Sequence, residues 1–318
     1  MNCPDLPRYR PQLSNARAVL TQEVLAMDER GRRSTISIPA ERPLTVYVDK
    51  RELVTLMTLG GAPEALTLGY LRNQRLVRSI EDIVSIQVDW EVDSVAVVTR
   101  NGIADVEERT AKKVVTTGCG QGSVFGGLMD EVDQIVLPPD ARLPQSVVYR
   151  IVETIRTQQS IYKQAGSVHG CALFSNEGEL LYFVEDVGRH NAVDAIAGLM
   201  WLEGMRGEDK VFYTTGRLTS EMVIKGAQMG IPFLLSRSGT TQMGHMVAER
   251  VGMSLLARCT GKHFLLLAGH DRLVFEPDLL DPLGAPPQVR CPCWTPFRTP
   301  SRCCSAAMPR CGASSGSP

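Results

Sequence analysis

The sequence lacks any apolar run of about 20 residues, the length that a helix needs to cross a bilayer. Its net charge of −1 points to neither nucleic acid nor an anionic membrane surface. The N-terminal stretch MNCPDLPRYRPQ has no apolar segment after its charges, which predicts that there is no signal peptide. We therefore expect a cytoplasmic protein that binds neither nucleic acid nor membrane. With 318 residues, 43% of them hydrophobic, it can form one large domain or two modest ones.

Cysteine is scarce in the part of the chain that is predicted to fold. Five of the nine cysteines lie in the stretch from Pro282 onward, which has eight prolines, four arginines, no lysine and no acidic residue. This composition predicts a disordered tail, and the spacing of its cysteines fits no standard zinc site. In a reducing compartment the three cysteines of the body, Cys119, Cys171 and Cys259, are expected to stay thiols.

Periodicity divides the chain into four parts. Residues 1–38 show no clean pattern and are interpreted as an N-terminal arm. Residues 39–140 contain strand-like alternation around one short helix, which predicts a smaller, mainly β domain that includes the Cys119 loop. Strand and helix patterns alternate through 141–281, which predicts a layered α/β main domain with a largely parallel or mixed sheet. Residues 282–318 form the tail.

A glycine-rich segment surrounds Cys119. Five glycines lie within residues 116–127, two of them directly beside the cysteine. Glycines leave the sulfur sterically open and allow the loop to move, so that two different partners can reach it in turn. The thiolate is the reactive form, and as a persulfide it would carry a sulfur atom for the next acceptor. A glycine-rich turn whose cysteine only fills a small pocket explains the same residues.

Charged side chains follow several predicted strands of the main domain. The run Glu185–Asp194, EDVGRHNAVD, places Arg189 and His190 at a strand-to-helix turn, where open α/β sheets bind ligands. His169 opens a strand, and a histidine satisfied by nearby backbone explains it equally well. For Asp194 we favour a structural role in the first turn of the following helix.

Two later turns repeat one arrangement of arginine and hydroxyl side chains. Arg217 lies in Thr214–Glu221, between a strand and a helix, and Arg237 lies in Ser236–Thr241, after the next strand. Backbone amides at such turns suit a phosphate, so the pair predicts one anion-binding rim along the sheet edge. Ordinary helix capping is the alternative.

Taken in order, these residues resemble the FdhD family, the sulfur-carrier accessory proteins of formate dehydrogenases. The match runs from about Glu41 to Leu273, and the run Glu185–Asp194 is its most specific part. The markers are Glu41–Leu44, Gly118–Gly120, Val168–His169, Glu185–Asp194, Gly216–Arg217, Ser220–Val223, Gly230–Pro232 and Ser236–Ser238.

The resemblance implies a sulfurtransferase-type accessory protein with a persulfide on Cys119. Such a protein passes sulfur from a cysteine desulfurase to a molybdenum or tungsten cofactor with two pterin guanine dinucleotides, which formate dehydrogenase needs. The cofactor is then a client and not a permanent ligand, and no metal site is expected. The resemblance also implies a homodimer and an α/β/α main domain similar to the cytidine deaminase fold.

The resemblance also implies where the cofactor binds. The family's cofactor-binding segment matches Arg258, Cys259, Thr260, Gly261, Lys262 and His263. The phosphates of the guanine dinucleotide suit the turns described above, with His169, Arg189, His190, Arg217 and Arg237.

The sequence departs from the family in three places. Gly122 stands where most members have the second cysteine of a Cys-x-x-Cys loop, Ala268–His270 replaces an aromatic-Thr-His ending, and the tail after Asp281 has no counterpart. Without that second cysteine, Cys119 has no disulfide partner in its loop. This favours an alternative in which the protein binds and inserts the cofactor without moving sulfur.

An enzyme of another class is the third hypothesis. A zinc deaminase needs His-x-Glu and a later Pro-Cys-x-x-Cys. Here Gly170 and Cys171 follow His169, and the predicted core has no such cysteine pair. A cysteine hydrolase that pairs Cys119 with His169 or His190 is conceivable but has no further support.

Overall fold

The computed structural model describes residues 9–103, 132 and 134–279. Up to Glu276 these residues belong to one compact unit of mixed α/β structure. Cys119, Gly122 and the whole tail, residues 282–318, lie outside the described residues. The predictions made for them therefore stay predictions, as does the domain boundary near residue 140.

Strands and helices alternate through most of the described chain. The strands are β1 (Gln12–Leu13), β2 (Thr21–Met27), β3 (Arg33–Pro39), β4 (Arg42–Val48), β5 (Arg51–Thr58), β6 (Ile83–Asp89), β7 (Ser94–Thr99), β8 (Leu143–Pro144), β9 (His169–Ser175), β10 (Leu180–Asp186), β11 (Lys210–Thr214), β12 (Phe233–Ser236), β13 (Ser254–Thr260), β14 (His263–Ala268) and β15 (Leu273–Val274). The α-helices are α1 (Pro63–Asn73), α2 (Gln145–Thr157), α3 (Ile161–Ala165), α4 (Arg189–Leu202), α5 (Ser220–Gln228) and α6 (Gln242–Val251).

A five-stranded mixed sheet has the order β1-β6-β7-β4-β5. The predicted hairpin of β4 and β5 is present, and its turn uses Asp49 and Lys50, both with positive φ. One face of the sheet packs on α1, since Val46, Ile86 and Leu66 belong to the same buried apolar cluster. Pro63 begins α1, where its missing amide hydrogen costs no helical hydrogen bond.

A six-stranded sheet has the order β10-β9-β11-β12-β13-β14. The strands β11, β12 and β13 are parallel to one another, and the other neighbours pair antiparallel. The three parallel strands therefore end at the same edge of the sheet. His169 lies at that edge too, because β9 runs in the opposite direction and its Cys171 pairs with Thr214.

The two faces of the six-stranded sheet pack on different helices. Leu173 and Phe212 belong to a buried cluster with apolar residues of α4, α5 and α6. Phe174 and Tyr213, the next residues along the same strands, belong to a cluster with residues of α2. This alternation follows from the period of two in a strand.

The helices α1 and α4 pack in close contact through two glycines. A Cβ atom on Gly69 would lie 1.7 Å from the carbonyl oxygen of Asp194. A Cβ atom on Gly198 would lie 1.9 Å from the carbonyl oxygen of Ala65. No side chain fits in either position, so the contact between the two helices depends on both glycines.

The segment interpreted as an N-terminal arm contains regular structure in its described part. The strand β1 joins the five-stranded sheet beside β6, and β2 and β3 form a separate antiparallel hairpin. The hairpin exposes large apolar side chains, among them Leu25 and Met27. Among the described residues no helix is long and apolar enough to span a bilayer.

Candidate functional site

The candidate site is built at the edge of the six-stranded sheet where the parallel strands end. Arg217 follows β11, Arg237 follows β12, and Arg258 lies near the end of β13. Arg189 begins α4, three residues after β10, and the end of β10 pairs with His169. We call the four arginines the arginine rim. Strand register thus brings together residues that lie far apart in the sequence.

His169 lies beside two arginines of the rim. Its Nδ1 atom is 3.4 Å from the hydroxyl oxygen of Thr215, and the Gly170 amide donates to that hydroxyl at 3.1 Å. The side chain is half-buried. Burial lowers the pKa of His169, and the nearby positive charges of Arg189 and Arg217 lower it further. The imidazole is therefore neutral at neutral pH.

Gly216 makes room for the side chain of Arg189. A Cβ atom at Gly216 would lie 2.8 Å from the Cδ atom and 3.1 Å from the Cβ atom of Arg189. The aliphatic part of Arg189 therefore lies across the backbone of the loop that also holds Arg217. Arg189 is only 7% exposed, whereas the other three arginines of the rim are exposed. A side chain at position 216 would collide with Arg189, which explains the glycine between Thr215 and Arg217.

Hydrogen bonds join the two predicted anion-binding turns. The Ser236 hydroxyl donates to the Gly216 carbonyl at 2.6 Å, and the Ser238 hydroxyl donates to the Thr215 carbonyl at 2.9 Å. The Arg258 amide donates to the Ser238 carbonyl at 2.8 Å, which adds the end of β13 to the same set. Three neighbouring loops are thus held as one surface that presents guanidinium groups.

The predicted cofactor-binding segment 258–263 forms the hairpin turn between β13 and β14. Thr260 pairs with His263, and Gly261 has a φ of 56°, a value that glycine adopts without strain. The side chains of Arg258, Thr260, Lys262 and His263 are exposed at this turn. They are available to a ligand from solvent.

Cys259 corrects the prediction for that segment. Its side chain is 1% exposed and packs in the cluster on the α2 side of the sheet, because strand alternation turns it inward. Burial raises the pKa of the Cys259 thiol to about 12. Cys171 is fully buried as well, and burial raises the pKa of its thiol to about 12. Neither thiol is placed to contact a ligand or to react.

His190 is the second correction, because its side chain is only 2% exposed. Burial, followed by the charges of Lys225, Arg189 and His169, lowers the pKa of His190 to about 2. Its Nε2 atom lies 3.4 Å from Glu221, but a neutral imidazole makes no ion pair there. His190 therefore lies beneath the arginine rim and does not contact solvent.

The acidic residues of Glu185–Asp194 have structural roles. Glu185 accepts the amides of Ile161 and Tyr162 at the start of α3. Asp186 accepts from the Thr58 hydroxyl at 2.5 Å and the Leu59 amide at 3.1 Å, and so ties β10 to the end of β5. These bonds connect the two sheets.

Asp194 has a structural role, but a different one from the predicted role. The helix α4 begins at Arg189, so Asp194 lies in its second turn and not in the first. Its carboxylate accepts from the Lys225 ammonium at 2.8 Å and from the Asn73 amide at 2.6 Å, and all three side chains are buried. Burial raises the pKa of Asp194, and both partners oppose that change. The three groups bind α1, α4 and α5 together.

Thr215, which contacts His169, and Lys225, which pairs with Asp194, help to build this part of the molecule, but the sequence assigned neither of them a role. Lys225 lies among Val223, Ile224 and Ala227 on the buried face of α5, and a lysine in such a position needs a buried partner. That signal was available, but it does not identify Asp194. Within the described ranges no group of three or more His, Cys, Asp or Glu side chains is arranged to hold a metal ion.

Comparisons with known proteins all point to one family. The family model described as FdhD/NarQ matches residues 39–274. The Sulfur carrier protein FdhD of Saccharolobus solfataricus is 30% identical over 256 residues, which cover 79% of this chain and 96% of that protein. The protein of the same name from Listeria monocytogenes serotype 4b is 29% identical over 240 residues, 74% of this chain and 91% of that one.

A crystal structure from Desulfotalea psychrophila gives the corresponding structural likeness. That protein is named for a proposed role as a formate dehydrogenase accessory protein. It has a TM-score of 0.64 and 26% sequence identity, and the match covers 80% of this chain and 98% of that one. The matched family region includes every residue of the arginine rim as well as the structural acids Glu185, Asp186 and Asp194. This chain belongs to the FdhD/NarQ family.

Proposed function

We propose that this protein is a sulfur carrier that matures formate dehydrogenase. Cys119 receives sulfur as a persulfide from a cysteine desulfurase and passes it to the molybdenum or tungsten cofactor with two pterin guanine dinucleotides. The observation that carries the proposal is the family membership, since the relatives reported above are named sulfur carrier proteins. The sheet edge that gathers the exposed Arg217, Arg237 and Arg258 beside the buried Arg189 supports the cofactor part of it.

The sulfur transfer itself is a thiol exchange at Cys119. The Cys119 thiolate attacks the outer sulfur of the desulfurase persulfide, a new S–S bond forms, and the old bond breaks with its electron pair on the desulfurase thiolate. In the second step the outer sulfur leaves for the cofactor, whose metal supplies the two electrons that make it a sulfide ligand, and the Cys119 thiolate is regenerated. Cys171 and Cys259 take no part, because both thiols are buried and have raised pKa values.

The arginine rim is proposed to hold the guanine dinucleotide phosphates. Guanidinium groups donate paired hydrogen bonds to phosphate oxygens, and the loops of Arg217 and Arg237 are joined by hydrogen bonds that reduce their freedom. Arg258 and the exposed side chains of Thr260, Lys262 and His263 extend this surface along the hairpin turn. The cofactor is the substrate of the transfer and not a resident group.

Localisation, partners and fold similarity are further parts of this proposal. We propose a cytoplasmic homodimer with formate dehydrogenase and a cysteine desulfurase as partners. We also propose that the six-stranded sheet is the middle of an α/β/α arrangement similar to the cytidine deaminase fold. What supports the latter is the pair of apolar clusters on opposite faces, one with α2 and one with α4, α5 and α6.

Activation of formate dehydrogenase in cells tests the function. In a bacterial host that lacks its own family member, the wild-type chain is expected to restore formate dehydrogenase activity. Cys119→Ala is expected to leave less than about 1% of it, because the two cysteines that the structure describes, Cys171 and Cys259, are buried and cannot replace it. Cys171→Ala is the matched control, since it removes a buried thiol, and it is expected to restore activity. Failure of the wild-type chain would count against the proposal.

A binding and insertion protein is the second candidate. The glycine at position 122, where most of the family has cysteine, is the observation that favours it. In that case Cys119→Ala activates the dehydrogenase as well as the wild type does, whereas substitution of Arg217 and Arg237 abolishes activation. The same assay therefore separates the two candidates.

A further inference from the structure

His169 lies at the meeting point of two parts of the arginine rim. Its Nδ1 atom is 3.4 Å from the Thr215 hydroxyl, and the Thr215 amide donates to the Gly170 carbonyl at 2.9 Å. Because Arg217 is two residues after Thr215, the imidazole is held beside the loop of that arginine. Arg189 approaches from α4, with its stem across Gly216.

The charged groups around His169 come from three elements. Arg189 of α4 and Arg217 of the loop after β11 are both positive, and both act on the imidazole. On β10 the cross-strand neighbour is Asp186, whose carboxylate accepts hydrogen bonds from Thr58 and Asn191. His190 below is neutral. In the ligand-free protein burial, followed by the positive charges of Arg189 and Arg217, lowers the pKa of His169 and keeps the ring neutral.

We propose that His169 takes up a proton when an anionic phosphate group binds against the exposed Arg217, beside the buried Arg189, so that the imidazolium adds one positive charge to those of the rim. The inference rests on the proposed use of the rim for phosphates. A bound anion cancels the field of the two guanidinium groups and supplies an opposite charge to the imidazolium, and both effects favour the protonated ring. The proton comes from solvent, and the new imidazolium N–H donates to a phosphate oxygen.

Proton uptake has a direct consequence for affinity. A ligand that binds the protonated state more tightly binds more strongly as the pH falls, by linkage. The wild-type affinity for a ligand of constant charge is then expected to rise by about three- to tenfold from about pH 8 to about pH 6. The rim would thus select anionic groups by charge, beyond the hydrogen bonds that its arginines make.

The test uses the full chain and guanosine diphosphate mannose, a nucleotide whose phosphates do not titrate in this pH range. Calorimetry at neutral pH, in buffers with different ionisation enthalpies, measures the protons taken up per ligand bound. We expect up to about one proton for the wild type and none for His169→Gln, which retains a donor but does not titrate. The difference in affinity between the two proteins is expected to be smaller at about pH 8 than at about pH 6, because protonation of the ring is less favourable at the higher pH.

His270→Gln is the matched control and is expected to bind as the wild type does at both pH values. Equal proton uptake by the wild type and His169→Gln overturns the inference but leaves phosphate binding at the rim intact. Absence of binding by the wild type overturns both the proposed use of the rim and the inference. If His169→Gln fails to fold, the ring-proton NMR signals of the wild-type histidines replace it. A His169 signal that does not shift on ligand binding then overturns the inference.

Discussion

Lys225→Met is expected to lower the free energy of unfolding by about 3–5 kcal/mol, the usual effect of removing one partner from a buried ion pair. Methionine fills a similar volume, so the loss comes from the Asp194 carboxylate, which stays buried with the Asn73 amide as its remaining partner. Urea denaturation followed by circular dichroism measures the change.

The double variant Asp194→Asn, Lys225→Met separates charge from packing. It has no buried charge at this position, and we expect it to regain most of the stability that Lys225→Met loses, because buried pairs are often replaceable by neutral groups of similar volume. A loss below about 1 kcal/mol for Lys225→Met alone would show that water or a shifted protonation state compensates the carboxylate. The role of this pair in binding α4 to α5 would then be refuted.

Gly69→Ala is expected to cost about 3 kcal/mol or more, at the upper end of the range for overpacked sites. The added methyl group would lie 1.7 Å from the backbone oxygen of Asp194, and a backbone atom has no rotamer by which to move away. The helices α1 and α4 must therefore separate, which opens the contact that joins the five-stranded sheet to the larger one. The midpoint of thermal unfolding is the measurement.

Gly239→Ala is the control for this substitution. No atom lies within 4 Å of a Cβ placed there, and its backbone φ is not in the left-handed region, so we expect a change within about 0.5 kcal/mol. If Gly69→Ala and Gly239→Ala have the same small effect, the helices can move apart at little cost, and the close contact is not what holds them.

Local patterns in the sequence were sufficient to predict most elements of the fold. The apolar spacing after Pro144 predicts a helix, and α2 runs through Gln145–Thr157; the predicted edge strand 264–267 is β14. The alternation of strands and helices predicts the mixed α/β class, which is confirmed. Hydrophobic residues that recur with a period of 2 or 3.6 residues indicate which side of a strand or helix is buried, so they can be recognised in a single sequence.

The strands in the described part of the N-terminal arm could not be predicted from local patterns. The strand β1 has two residues, too few for a periodic signal, and its place beside β6 depends on pairing with residues about 70 positions away. The hairpin of β2 and β3 exposes Leu25 and Met27, so its apolar residues do not mark one buried face. Both elements are set by long-range contacts.

The site was predictable at the level of the sheet edge but not of each side chain. The rule that ligands bind at strand carboxyl ends brings Arg189, Arg217 and Arg237 together. The structure places Arg217 and Arg237 on two loops joined by hydrogen bonds, and Arg189 at the start of α4 against the first of them. The rule does not distinguish the exposed side chains of Arg217, Arg237 and Arg258 from those of Arg189, His190 and Cys259, which are buried. Burial at a strand or helix end depends on the neighbouring element, which a local motif does not record.

The central claim is that Cys119 carries sulfur, and intact-protein mass spectrometry tests it most directly. After incubation with a cysteine desulfurase and cysteine, the wild type is expected to gain the mass of one sulfur atom, about 32 Da, and lose it on treatment with a reducing thiol. The matched Cys171→Ala protein is expected to gain the same mass. A wild type without the adduct, or an adduct of equal yield in Cys119→Ala, would contradict the account.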